Sequence, residues 1–179
     1  MPTRCCDHLN ADVSKMLSIV PSIVVLGIVA LAAIALARRH QSSAERGPER
    51  RAAALALLFA TAIQAVHFGE ELATGFHERF PALFGLPPMP LSFFVAFNLA
   101  WIVIWIAAIP GVQSGKPVAF FAAWFLALAG MLNAIAHPLL ALAANGYFPG
   151  LVTSPLIGAA ALWLWSKLQR AVSGPVLRA

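Results

Sequence analysis

Charged residues are scarce in this sequence. They make up 11% of the chain, against roughly 25% in an ordinary soluble domain. Hydrophobic residues make up 60%, so water is not the solvent for most of the surface, and a soluble globular protein is excluded. Long polar segments are also missing. The 179 residues therefore leave room for a single membrane domain and for no separate soluble one.

Cysteine is limited to one adjacent pair, Cys5 and Cys6. Neighbouring cysteines form only a strained disulfide and lack the spacing of a zinc site, so we interpret them as free thiols. A cleavable signal peptide is not expected either. The first apolar run, residues 16–37, exceeds the usual signal-peptide core and ends in Arg38-Arg39 without a small-x-small site. It is interpreted as a retained span that follows a polar segment, residues 1–15.

Five apolar runs are long enough to cross a bilayer as helices. The predicted fold class is all-α, an integral membrane bundle of five transmembrane helices with a tail at residues 171–179. Pro110-Gly111 predicts a turn after the third span, and Pro138 predicts a kink in the fourth. Prolines interrupt the stretch after the second span, where phenylalanines spaced by four predict an interfacial helical cap up to about Phe84. The predicted spans are residues 16–37, 52–72, 91–109, 117–143 and 151–168.

Lysine and arginine are distributed unevenly around these spans. With the N-terminus outside, nine of the twelve lie in inner segments and three in outer ones. Cytoplasmic loops are rich in Lys and Arg, so the asymmetry predicts an N-out, C-in orientation. The expected location is the cell membrane, as a multi-pass protein of the bacterial inner membrane whose partner is the lipid bilayer. The basic residues flank apolar runs, so no nucleic-acid partner is expected. The sequence does not determine the oligomeric state.

Ionisable residues end the second apolar run, where His67, Glu70 and Glu71 follow one another at helical spacing. Asn133 and His137 occupy the fourth run. In the predicted topology both helices cross from inside to outside, and at about 1.5 Å per residue these groups reach similar depths. The i, i+3 and i+4 spacings place each set on one helix face. We therefore predict one polar site in the outer half of the bilayer, the half that also contains Asn98.

Two histidines with two carboxylates form a ligand set that zinc or ferrous iron accepts, with an open position for water. We predict a divalent metal, zinc or iron, at this site. The sequence leaves open which of Glu70 and Glu71 is the ligand and which is the general base. The assignment carried forward has His67, Glu70 and His137 as ligands, Glu71 as general base, and Asn133 and Asn98 as groups that orient the substrate or stabilise an oxyanion.

Three functions are compatible with such a site. The first is a metal-dependent hydrolase of a lipid or membrane-associated substrate. The second is a cation- or proton-binding or transport protein, since adjacent carboxylates at low dielectric can exchange protons without a metal. The third is a non-catalytic assembly partner, in which His67 and Asn133 hold two helices together and the glutamates reach headgroup water.

The motif residues resemble those of the integral membrane protein family named for its HXXEE motif. The resemblance covers residues 52–165, and it implies that His67, Glu70, Glu71, Asn133 and His137 are the functional residues. It implies no activity. It is carried by His67-x-x-Glu70-Glu71, Asn133-x-x-x-His137 and Tyr147-x-Pro149-Gly150-x-x-Thr153.

A second likeness is chemical analogy only. The CAAX-type intramembrane proteases also combine a Glu-Glu pair with histidines and an asparagine on neighbouring helices. Their pattern has an arginine four residues after the second glutamate, where this chain has Gly75. Their activity is therefore not carried over.

Overall fold

The computed structural model describes residues 16–38 and 47–172, and over these residues it contains helices and no strand. The predicted all-α class is therefore confirmed for the described part of the chain. Cys5, Cys6, residues 1–15 and most of the predicted tail lie outside the described residues. The six helices are α1 Val20–Ala37, α2 Gly47–Ala73, α3 Phe76–Ala82, α4 Leu91–Gln113, α5 Pro117–Ala143 and α6 Ser154–Val172.

Four of these helices, α1, α2, α4 and α5, are long and apolar enough to cross a membrane. The 19-residue helix α6 is not one of the four. It is too short to contain an apolar segment of that length that avoids Lys167 and Arg170 in its second half. The structure thus agrees with a helical membrane protein, while the fifth span and the N-out, C-in orientation stay predictions.

Two helix boundaries differ from the predicted ones. Helix α2 already includes Gly47, whereas its start was predicted at residue 52; Pro48 and Glu49 are both favourable near a helix N-terminus. Helix α4 continues through Pro110 to Gln113, although a turn was predicted at Pro110. The chain turns instead at Gly115, which has φ 76°.

The end of α4 explains why the turn is delayed. The Lys116 N–H donates to the Gly111 carbonyl at 2.8 Å, and the Gly115 N–H donates to Val112 at 3.1 Å. These two bonds are those of a Schellman motif, which requires a residue in the left-handed region, and glycine adopts that region without strain. The position of Gly115 therefore determines the end of this helix more strongly than Pro110 does.

Helix α5 lies at the centre of the bundle and packs against α1, α4 and α6, while α2 packs against α4 and α6. The core contains large buried side chains such as Trp124, Phe120 and Leu164. Small residues bring α5 and α6 into close contact: a Cβ atom on Gly130 would lie 2.8 Å from the Ala161 Cβ, and one on Gly158 would overlap Ala134. Close helix contacts through small residues are typical of membrane bundles.

A short helix, α3, follows α2 after Gly75, in the stretch where an interfacial cap was predicted. Phe76 stacks on Phe80 with ring centroids 5.0 Å apart, and on Phe94 of α4 at 5.8 Å. The contact with Phe94 joins α3 to α4, and Phe76 also lies beside His137, one of the residues predicted to form the site.

Candidate metal site

His67, Glu71 and His137 come together near the C-terminal ends of α2 and α5. His67 and Glu71 are four residues apart on α2, and all three side chains are buried. The Glu71 Oε1 atom lies 3.5 Å from the Nε2 atom of His67 and 3.4 Å from that of His137. The two imidazole rings meet edge to face, with centroids 4.8 Å apart. We call these three residues the His–Glu–His cluster.

The spacing of the cluster fits a metal ion. Zinc bonds of about 2.0–2.1 Å place neighbouring ligand atoms of a tetrahedron about 3.3–3.4 Å apart. The two distances from Glu71 Oε1, 3.5 and 3.4 Å, are close to that value. In addition, the buried His67 Nε2 atom has no hydrogen-bond partner, which is costly unless another group binds it. The cluster could therefore hold a metal ion.

The loop between α5 and α6 determines the orientation of His137. The His137 Nδ1 atom lies 2.6 Å from the carbonyl oxygen of Pro149. A carbonyl oxygen only accepts hydrogen bonds, so Nδ1 carries a proton, and in the neutral ring Nε2 presents its lone pair to the cluster. A second ring nitrogen bonded in this way is the usual arrangement of a metal-binding histidine.

Glu70 faces this loop and not the cluster. One of its oxygens accepts hydrogen bonds from the Tyr147 hydroxyl at 2.7 Å and from the Val152 N–H at 3.0 Å. Its other oxygen accepts the N–H of Thr153 at 2.8 Å and the Thr153 hydroxyl at 2.5 Å. The structure thus groups Glu71 with the two histidines, whereas Glu70, the glutamate first assigned as ligand, anchors the loop.

Tyr147 lies in the loop at the surface of the protein. Partial burial, followed by its hydrogen bond to Glu70, raises the pKa of the Tyr147 hydroxyl. The phenol therefore stays protonated at neutral pH and remains a donor to the carboxylate.

Gly150 allows the loop to approach both imidazoles. It has φ +86°, and a Cβ atom there would overlap the Cε1 atom of His137 and lie 2.9 Å from the Cε1 atom of His67. Glycine adopts positive φ freely and has no Cβ. Gly150 is therefore required both for the backbone conformation and for the space that the two rings occupy.

Aromatic side chains form a wall beside His137. The centroid of its ring lies 5.8 Å from that of Phe76 and 6.3 Å from that of Phe148, and these two phenylalanines meet edge to face at 6.0 Å. An apolar wall keeps water away from the cluster, and electrostatic interactions are stronger where water is excluded.

The two predicted asparagines are placed differently. Asn133 is partly buried on α5, one helical turn before His137. Asn98 donates its side-chain N–H to the Phe94 carbonyl of its own helix at 2.9 Å, the kind of contact that holds a helix rather than a ligand. Helical spacing thus puts Asn133 on the same side of α5 as His137, whereas the Asn98 amide is bonded within its own helix.

Several residues of this region had no assigned role in the sequence analysis. Thr153, Tyr147, Pro149 and Gly150 were quoted only as part of a motif, although all four contribute contacts to the glutamate or the histidines. The signal available was the Pro-Gly turn immediately before α6. Gln64, which is buried on α2 three residues before His67, was also missed. It is the only strongly polar residue in that part of the apolar run, and a single polar residue does not form a recognisable pattern.

Comparison of the whole chain with protein-family models, with curated proteins and with solved structures finds no match. Resemblance to the HXXEE family therefore stays a prediction that rests on the motif residues.

Proposed function

We propose that this protein is a membrane enzyme of the HXXEE family that binds a divalent metal through His67, Glu71 and His137 and hydrolyses a lipid or membrane-associated substrate. The observation that supports the proposal is the convergence of two imidazole nitrogens and one carboxylate oxygen in a buried cluster. A divalent ion bound there would supply Lewis-acid activation of water or of a substrate carbonyl.

The number of protein ligands favours catalysis over a purely structural role. Structural zinc sites are closed by four protein ligands, whereas catalytic sites have three and leave one position for water or substrate. The cluster offers three. Two neutral histidines and one carboxylate also leave a divalent site with a net positive charge, which would stabilise the negative charge that develops during acyl transfer.

The roles of the other polar residues follow from their contacts and from their spacing along the helices. Glu71 takes the place of Glu70 as the carboxylate ligand, because its oxygen is the one beside both histidines. Asn133 is the amide that we retain as an oxyanion donor. Asn98 receives no role in the proposed reaction, since its amide is bonded to its own helix.

The proposal is tested by measuring metal content and hydrolysis together. The purified protein in nanodiscs is loaded with Zn²⁺, desalted, and assayed against a panel of fluorogenic acyl esters and peptides presented in vesicles. We expect about one zinc per chain, and loss of both zinc and hydrolysis in the His67→Ala, His137→Ala double variant. His77→Ala is the matched control, because His77 lies on α3 and interacts with Glu78. Equal zinc content in the double variant and the wild type would overturn the metal site.

A second candidate function, cation or proton relay, is favoured by the polar residues buried deeper on α2. Gln64 and Thr61 precede His67 on the same helix and are both buried, although the Thr61 hydroxyl donates to the Leu57 carbonyl of its own helix at 2.8 Å. Buried polar groups at membrane depth are typical of ion pathways. The experiment is flux of protons or of a labelled cation into vesicles that contain the protein. Flux that Glu71→Gln abolishes would favour the relay over the hydrolase.

A further inference from the structure

We propose that Glu70 and Thr153 are positioning residues that hold His67 in the tautomer protonated at Nδ1, so that His67 Nε2 presents its lone pair to the metal. The inference rests on the proposed metal site and assigns a role to the glutamate that lies outside the His–Glu–His cluster. It depends on which group donates in each of two hydrogen bonds, the one between Thr153 and Glu70 and the one between Thr153 and His67.

The first step concerns the protonation of Glu70. A carboxylate accepts about four hydrogen bonds, two at each oxygen. The side chain of Glu70 accepts four, from Tyr147, Val152 and both the N–H and the hydroxyl of Thr153. Each oxygen accepts one backbone N–H, from Val152 and from Thr153, and a backbone N–H can only donate, so these two bonds favour the ionised carboxylate. Glu70 is therefore an anion that only accepts.

The second step concerns Thr153. Its hydroxyl has one hydrogen, which it donates to Glu70 across 2.5 Å. The same oxygen lies 2.7 Å from the Nδ1 atom of His67 and has only lone pairs left for that contact. The His67 Nδ1 atom must therefore be the donor. In the neutral imidazole Nε2 is then bare. This buried atom has no hydrogen-bond partner, and the Glu71 Oε1 atom lies 3.5 Å from it.

The third step compares the two histidines. His137 is held in the same tautomer by the Pro149 carbonyl, and Pro149 and Thr153 belong to the same loop. A single segment, residues 147–153, thus contacts the Nδ1 atoms of both imidazoles. Glu70 accepts hydrogen bonds from the same segment. Ligand orientation by such outer contacts is common in metal sites. Here the outer carboxylate acts on its histidine through a threonine hydroxyl.

The test compares three variants of the loop. Thr153→Val keeps the shape of the side chain and removes the hydroxyl, and Thr153→Ser restores the hydroxyl. Ser154→Ala is the matched control, because Ser154 is the next residue, is also buried, and donates its hydroxyl to the Leu151 carbonyl at 3.0 Å. Zn²⁺ affinity is measured by competition with a chromophoric chelator, together with thermal unfolding of the metal-free proteins.

We expect Thr153→Val to weaken Zn²⁺ binding by roughly 10- to 100-fold, the usual effect of removing an outer contact. Thr153→Ser should bind like the wild type, and Ser154→Ala should alter stability without altering affinity. A merely structural role for Thr153 would lower the unfolding temperature in Thr153→Val and leave the Zn²⁺ affinity unchanged. That result would overturn the inference.

The tautomer of His67 is measured directly by ¹⁵N NMR of the metal-free wild-type protein. We expect a signal of the Nδ1–H form, and a signal of the Nε2–H form would overturn the inference even if Thr153→Val fails to fold. Absence of Zn²⁺ binding in the wild type, with the Nδ1–H signal present, would instead remove the proposed function and leave the Glu70–Thr153–His67 arrangement intact. The two failures are thus distinguishable.

Discussion

Gly150 is the residue on which the approach of the loop to both histidines depends. We predict that Gly150→Ala destabilises the protein by about 1–3 kcal/mol, because alanine at positive φ is strained, and that it also weakens Zn²⁺ binding, because its Cβ displaces the imidazoles. Thermal unfolding and Zn²⁺ competition measure the two effects separately.

Gly85→Ala is the control for this prediction. Gly85 also has positive φ, +67°, and no atom lies within 4 Å of the Cβ position. It should lose stability through strain alone and keep the Zn²⁺ affinity of the wild type. Equal Zn²⁺ affinities in the two variants would show that the loop does not need to contact the histidines.

At the residue scale, the sequence predicted which residue types form the site but not which glutamate belongs to the cluster. Glu70 and Glu71 are i+3 and i+4 from His67, and both positions share the helix face of His67. The choice between them depends on the rotation of α2 and on the path of the loop before α6. Neither is encoded in helical periodicity, and the donors that attract Glu70 come from residues 147–153, distant in sequence.

At the scale of helices, the packing of α5 against α6 determines the positions of His137 and of the loop that joins the two helices. We predict that Gly158→Ala destabilises the protein by about 1–3 kcal/mol through overpacking, since its Cβ would overlap Ala134, one helical turn before Pro138. Unfolding in detergent, followed by circular dichroism, measures the change.

Gly27→Ala in α1 is the matched control for Gly158→Ala, because nothing lies within 4 Å of the Cβ position at Gly27. Alanine is the better helix former, so Gly27→Ala should be neutral or stabilising by up to about 1 kcal/mol. If Gly158→Ala is as stable as Gly27→Ala, then the helices do not pack as closely as the structure indicates.

The helices were predicted more successfully than their ends. Apolar runs indicated five long helices, and all five are present among the described residues as α1, α2, α4, α5 and α6. Their ends depend on local bonds. Helix α2 already includes residues 47–51, which are mostly polar and precede the apolar run. Gly115 ends α4 beyond the proline that was expected to end it, and this backbone effect of a single residue is not resolved by an average over an apolar run.

At the scale of the whole molecule, the five-span topology predicts that the two ends of the chain lie on opposite sides of the membrane. Cys5 and Cys6, the only cysteines, should react with a membrane-impermeant maleimide added to intact spheroplasts, and a C-terminal fluorescent fusion should fold in the cytoplasm. A Cys5→Ser, Cys6→Ser variant is the labelling control.

The same experiment decides whether α6 crosses the bilayer. If α6 does not cross, four spans place both ends on the same side. Labelling of the cysteines from outside, combined with an external C-terminus, would contradict the fifth span. Cysteines protected in intact spheroplasts would contradict the N-out orientation.

The most direct test of the metal site is a crystal structure of the Zn²⁺-loaded protein with anomalous scattering recorded on both sides of the zinc absorption edge. The account predicts one anomalous peak bounded by His67 Nε2, His137 Nε2 and a Glu71 oxygen, at about 2.0–2.2 Å from each, with Glu70 still bonded to Thr153. A peak coordinated by Glu70, or no peak at the His–Glu–His cluster, would contradict it.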